Sequence, residues 1–142
     1  MIKIFCDGAY SSSRNQGGWS FIVIEDEKII YKEYGGLLDT TNSRMEMMAS
    51  LKAMQYINKH YSNENEILIY CDSMLVIETL SGKWKIKKNT DLWPSLWNEL
   101  KDNMKYVHVK GHSGDTFNSQ CDKWAVFGSN LLNCEIDGRP IN

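Results

Sequence analysis

Apolar and polar positions along the chain open with three β-rich runs, residues 2–6, 19–25 and 28–34, parted by polar segments. The two-residue Asp26-Glu27 link predicts a hairpin between the second and third, and Gly35-Gly36 ends the third. An antiparallel meander is therefore expected first. From Ser43 to Tyr61 there is no Gly or Pro, and Met47, Met48, Ala49, Leu51, Ala53, Met54, Tyr56 and Ile57 cover most of a helical circumference. A helix this apolar is buried between a sheet and other helices. Residues 66–71 are nearly continuous apolar sequence, the pattern of a strand covered on both faces and parallel to its neighbour. A two-turn helix over Met74–Leu80 follows, with Ser73 as its cap. An amphipathic helix is expected over 92–104, entered through Pro94, with Leu92, Trp93, Leu96, Trp97 and Leu100 inward. Residues 106–109 form a further strand and 116–127 a further helix, while the tail from Leu131 to Asn142 receives no element.

Composition narrows the class. The 142 residues make one domain, assigned to 1–130 with a C-terminal tail over 131–142, long enough to bury about two thirds of its unfolded surface. Five Trp and seven Tyr within 42% hydrophobic residues exclude a disordered chain. No run approaches the length of a membrane span and no secretory leader is evident, so a cytoplasmic protein with no membrane partner is expected. Cys6, Cys71, Cys121 and Cys134 lack zinc-module spacing and are expected as reduced thiols. The net charge of −2 argues against binding nucleic acid by bulk electrostatics, though a local patch remains open. The one basic segment, residues 82–89, sets Lys83, Lys85, Lys87 and Lys88 around Trp84. It reads either as a solvated loop whose aromatic plugs a groove or as a strip lying along a phosphate backbone.

Candidate chemistry lies at element ends. Asp7-Gly8 closes the first run and Asp72-Ser73 closes the buried strand, so the two carboxylates meet at a switch in strand order if those strands are neighbours. Glu46 falls in the first turn of the long helix, where Ser43-x-x-Glu46 also has the form of a capping box that would serve the helix end alone. His112 sits in the glycine-flanked loop Lys110-Gly111-His112-Ser113-Gly114, exposed and suited to moving protons near neutral pH. Asp122, ten residues further on, is by itself an ordinary helical aspartate. Four carboxylates with no Cys or His ligand set describe a site for hard divalent cations, Mg²⁺ or Mn²⁺. Two such ions about 3.5–4 Å apart clamp the attacking and leaving oxygens of a phosphoryl displacement.

The order of these motifs resembles ribonuclease H type 1, the family that cuts the RNA strand of RNA/DNA hybrids. The matching pieces are Cys6-Asp7-Gly8-Ala9, Thr41-Asn42-Ser43-Arg44-Met45-Glu46, Asp72-Ser73-Met74, Asn89-x-Asp91-Leu92-Trp93, and the His112 loop with Asn118-x-x-x-Asp122. The resemblance implies an α/β ribonuclease H-like fold, a five-stranded mixed sheet in order 3-2-1-4-5 with helices on both faces. It implies Asp7, Glu46, Asp72 and Asp122 as ligands of two Mg²⁺ ions, with Mn²⁺ an alternative, and His112 as a helper of proton transfer or product release. Asn42, Ser43 and Met74 match minor-groove contacts, and Thr41 and Asn89 match a hold on a DNA-strand phosphate. Trp84 joins the candidate substrate contacts without a secure counterpart. Recognition of RNA would rest on 2′-hydroxyls. The products would carry 5′-phosphate and 3′-hydroxyl ends, and the enzyme is expected to act as a monomer. One departure stands out: the basic handle of many members is missing or cut to the strip 83–88, which predicts weaker, more salt-sensitive hybrid binding. Two competing readings are another nuclease of the same superfold, such as a Holliday-junction resolvase or an exonuclease, and a binding module without turnover.

Overall fold

The computed structural model describes residues 1–109 and 116–138. The first three runs form β1 (Ile2–Ser11), β2 (Gln16–Glu25) and β3 (Lys28–Leu38), an antiparallel meander. Asp26 and Glu27 turn the hairpin with φ of 51° and 63°, matching the right-handed twist of the flanking strands. All three strands outrun their apolar patterns, because pairing continues through Gly17-Gly18 and Gly35-Gly36. These glycines lie inside strands, where other parts of the chain lie too close for a side chain.

Next come α1 (Asn42–His60), β4 (Ile67–Cys71), α2 (Met74–Leu80), α3 (Trp93–Glu99), β5 (Met104–His108), α4 (Thr116–Gly128) and β6 (Glu135–Ile136). The sheet order is β5-β4-β1-β2-β3-β6, which contains the expected order 3-2-1-4-5. β4 pairs in parallel with both β1 and β5, as its unbroken apolar run requires. The tail adds the sixth strand: β6 pairs with β3 through Leu37 and Leu38.

Strand alternation feeds two cores. Ile4, Cys6, Phe21 and Val23 face α1, α2 and α3, while Phe5, Ile22 and Ile24 face Cys121 of α4. Each fully buried large side chain in these layers stabilises the fold by about 1.5–3 kcal/mol.

Two local expectations change. The α1 cap is Thr41, whose hydroxyl accepts the Arg44 N–H at 3.2 Å, so Ser43 is no cap and the capping-box reading of Glu46 fails. Helix α3 stops at Glu99 because the Asn103 carbonyl accepts the Ile67 N–H and the Asn103 side chain donates to the Asn65 carbonyl, drawing the chain onto the sheet. Trp93 and Leu96 fill its inner face and leave Trp97 39% exposed.

Candidate active site

β1 and β4 pair only as far as Phe5 and Tyr70, so Asp7 lies just past the point where β1 loses that neighbour, and Asp72 directly follows β4. The pleat sends Cys6 into the α1 core and Asp7 toward α4. Gly8 then faces α1: a Cβ there would lie 2.5 Å from the Glu46 nitrogen. The missing side chain lets the first turn of α1 rest on β1, which brings Glu46 into the cleft that Asp7 lines.

On the other face, Gly18 does the same for α4, since its Cβ would stand 2.0 Å from the Ala125 carbonyl oxygen. The helix answers with small buried residues, Cys121, Ala125 and Gly128, at helical spacing. Ser20, the cross-strand partner of Asp7, donates its hydroxyl to the Cys121 carbonyl at 2.6 Å and ties α4 one residue before Asp122. The sequence signal for this contact, small residues at 121, 125 and 128 opposite a Gly pair, is readable in retrospect.

The four carboxylates line one cleft of about 330 Å³, together with Gly8, Asn42, Asn118, Ser119 and Lys123. Burial, then repulsion from Asp72 and Asp122, pushes the Asp7 carboxyl up to about 8 against the Gly8 N–H that donates to it at 2.9 Å. Burial also holds Glu46 above the usual carboxylate range, and Asp72 adds to it, opposed by hydrogen bonds from Ser73 and Asn42. The Asn42 amide donates to Glu46 Oε1 at 2.7 Å. Among the described residues, no three His, Cys, Asp or Glu side chains already converge tightly enough to hold an ion. What the cleft supplies is an all-oxygen donor set in which one carboxyl favours its proton, first because it is buried and then because its neighbours are negative.

The remaining candidates divide. Thr41 caps α1 and Asn42 stands in the carboxylate cleft. Ser43, Trp84 and Asn89 line a second cavity of about 750 Å³ with Leu75, Trp93 and the lysines of the strip. Trp84 is exposed, and Trp93 is buried with its ring N–H donated to the Lys88 carbonyl at 3.1 Å. Met74 is 41% exposed at the start of α2 and lines neither cavity. His112 lies outside the described residues. Sequence reasoning missed Lys123, which brings a positive charge to the wall of the acidic cleft.

Comparison with known proteins follows the same outline. Residues 1–130 match the family described as RNase H. The "Ribonuclease H" of Syntrophomonas wolfei subsp. wolfei is 37% identical over 140 residues, covering 87% of this chain and 92% of the relative. That of Hahella chejuensis is 35% identical over 143 residues, covering 89% and 92%. The crystal structure of LC11-RNase H1 in complex with RNA/DNA hybrid has the same fold, with a TM-score of 0.77 at 18% identity over 91% of this chain and 96% of that one.

Proposed function

The chain belongs to the RNase H family of nucleases, and from that premise we propose that it hydrolyses the RNA strand of RNA/DNA hybrids in the cleft of Asp7, Glu46, Asp72 and Asp122. The observation that carries this reading is the convergence of carboxylates from β1, α1, the end of β4 and α4 on one cleft. The donor set fits hard divalent cations, being all oxygen, with Asp7 pushed up to about 8 first by burial and then by the charges of Asp72 and Asp122. These four side chains would hold two Mg²⁺ ions, or Mn²⁺. When bound, such ions stabilise the attacking water and the leaving oxygen as Lewis acids.

The chain's own groups do the rest. The Gly8 N–H and the Asn42 amide fix the Asp7 and Glu46 carboxylates in place. Lys123 offers its ammonium to a phosphate on the cleft wall. Water attacks the scissile phosphorus, the bond to the 3′-oxygen breaks, and His112 delivers a proton to that oxygen or eases product release. The products carry 5′-phosphate and 3′-hydroxyl ends. Asn42, Ser43 and Met74 contact the minor groove. Thr41 retains a hydroxyl proton for a DNA-strand phosphate while it caps α1. Asn89 donates to the same strand, and Trp84 with its lysines follows the backbone. The enzyme acts as a cytoplasmic monomer.

Asp7→Asn tests the assignment. It removes a negative ligand and leaves the groove unchanged, so cleavage should vanish while hybrid affinity stays within about threefold of wild type. Turnover at the wild-type rate would remove Asp7 from the reaction.

A further inference from the structure

Arg44 lies two residues before Glu46 on α1 and is 1% exposed, a charge inside the fold that needs a partner for each of its donors. It has one. Nε and Nη2 donate to the two oxygens of Asp137 at 2.7 and 2.9 Å, and Nη1 and Nη2 donate to the two oxygens of Asp91 at 2.8 Å each. The remaining Nη1 hydrogen goes to Asn89 Oδ1 at 3.2 Å. A guanidinium carries five N–H groups in a rigid plane, and all five are used.

This arrangement decides which way Asn89 points. A guanidinium only donates, so the carboxamide must present its oxygen to Arg44, and its NH₂ end is directed elsewhere. Asn89 is also held at φ 58°, and its carbonyl accepts the Leu92 N–H at 3.0 Å, so the backbone turn and the side chain are set together. Asp137 is what fixes the plane of the fan. Its side chain is 2% exposed against 26% for Asp91, Thr40 donates to it at 2.7 Å, and its own N–H donates to the Leu38 carbonyl at 2.9 Å. Burial opposes its charge, yet the hydrogen bonds from Arg44 and Thr40 hold its carboxyl below the usual range. Without Asp137, two donors of Arg44 lose their acceptors. The guanidinium would then turn toward the more exposed Asp91 and release Asn89.

We propose that Asp137, in the segment beyond the family match, is a positioning residue for substrate binding: through Arg44 it orients the Asn89 carboxamide toward the hybrid. This rests on the reading that Asn89 meets a phosphate of the DNA strand. The test is a binding cycle on the full chain at fixed salt with EDTA present, so that cleavage does not enter. A labelled RNA/DNA hybrid is titrated with wild type, Asp137→Asn, Asn89→Ala and the double variant, with circular dichroism showing each to be folded. Arg44→Lys, which keeps the charge but cannot fan five donors, substitutes if Asp137→Asn does not fold. Each single variant should weaken binding by about 10- to 150-fold, the loss of one hydrogen bond to a charged group. The double variant should bind no worse than Asn89→Ala alone. A purely structural role for Asp137 would give losses that add in full, and that result, or wild-type binding by Asp137→Asn, overturns the proposal. Wild-type protein that does not bind the hybrid overturns the functional reading itself, and that result is separable because it involves no variant.

Discussion

Gly8→Ala tests how the fold builds the site, because it changes neither charge nor ligand. The added Cβ would stand 2.5 Å from the Glu46 nitrogen and 2.6 Å from the Met45 carbonyl carbon, both backbone atoms that cannot rotate away. Ordinary contact begins at 3.4 Å, so the first turn of α1 must retreat by about 0.9 Å, carrying Glu46 away from Asp7. Misplacement by about 1 Å is worth on the order of 10²-fold in rate. Overpacking at such a site costs about 1–3 kcal/mol of stability, which leaves an ordinary domain folded. The assay is steady-state cleavage of a labelled hybrid, with thermal unfolding on the same preparations. Gly138→Ala is the control, since nothing lies within 4 Å of a Cβ at that position. The account requires kcat to fall by about 10²-fold in Gly8→Ala and to hold in the control. Wild-type kcat in a folded Gly8→Ala protein would refute the claim that this contact sets Glu46.

Two further outcomes are expected, one from the electrostatics of the cleft and one from the sequence around His112. The Asp7 carboxyl lies at about 8 in the folded protein against 3.8 for an ordinary aspartate, so between those values the metal-free fold holds a proton that the unfolded chain has released. Its contribution to stability is present at low pH and is lost as pH rises through about 8. A divalent cation must displace that proton, so the increase in Tm on adding Mg²⁺ should grow from pH 5 to about pH 8 and level off above, as read by thermal scans with and without EDTA. A pH-independent increase would count against Asp7 as a ligand. His112→Ala should lower kcat by about 10²-fold without abolishing cleavage, since water can replace a proton carrier less efficiently. Complete loss in a folded protein would mean that His112 does more than move a proton.

The strands and most helices were legible because their signals are local. The unbroken apolar run ending at Cys71 marks a strand paired in parallel on both edges, with one face buried and Leu68 and Tyr70 on the other only half-buried, and a Gly- and Pro-free stretch marks α1. Asp7 and Asp72 could be read as a pair because strand ends collect functional groups in such sheets. Glu46 and Asp122 could not be placed from pattern alone: their approach depends on Gly8, Gly18 and Ser20, whose effect is felt only when two elements touch. Ser43 and Thr41 both satisfy the chemistry of a cap, so which one served was decided by backbone geometry. The partnership of Arg44 with Asp137 spans 93 positions and leaves no local trace, and β6 is two residues long, too short for any periodicity.

The most direct measurement presents one labelled sequence as RNA/DNA hybrid, double-stranded RNA, double-stranded DNA and single-stranded RNA, each with Mg²⁺, Mn²⁺ or EDTA. The account predicts metal-dependent cutting of the RNA strand of the hybrid alone, with 5′-phosphate ends. Cutting of DNA, or binding of the hybrid without cleavage in either metal, would contradict it.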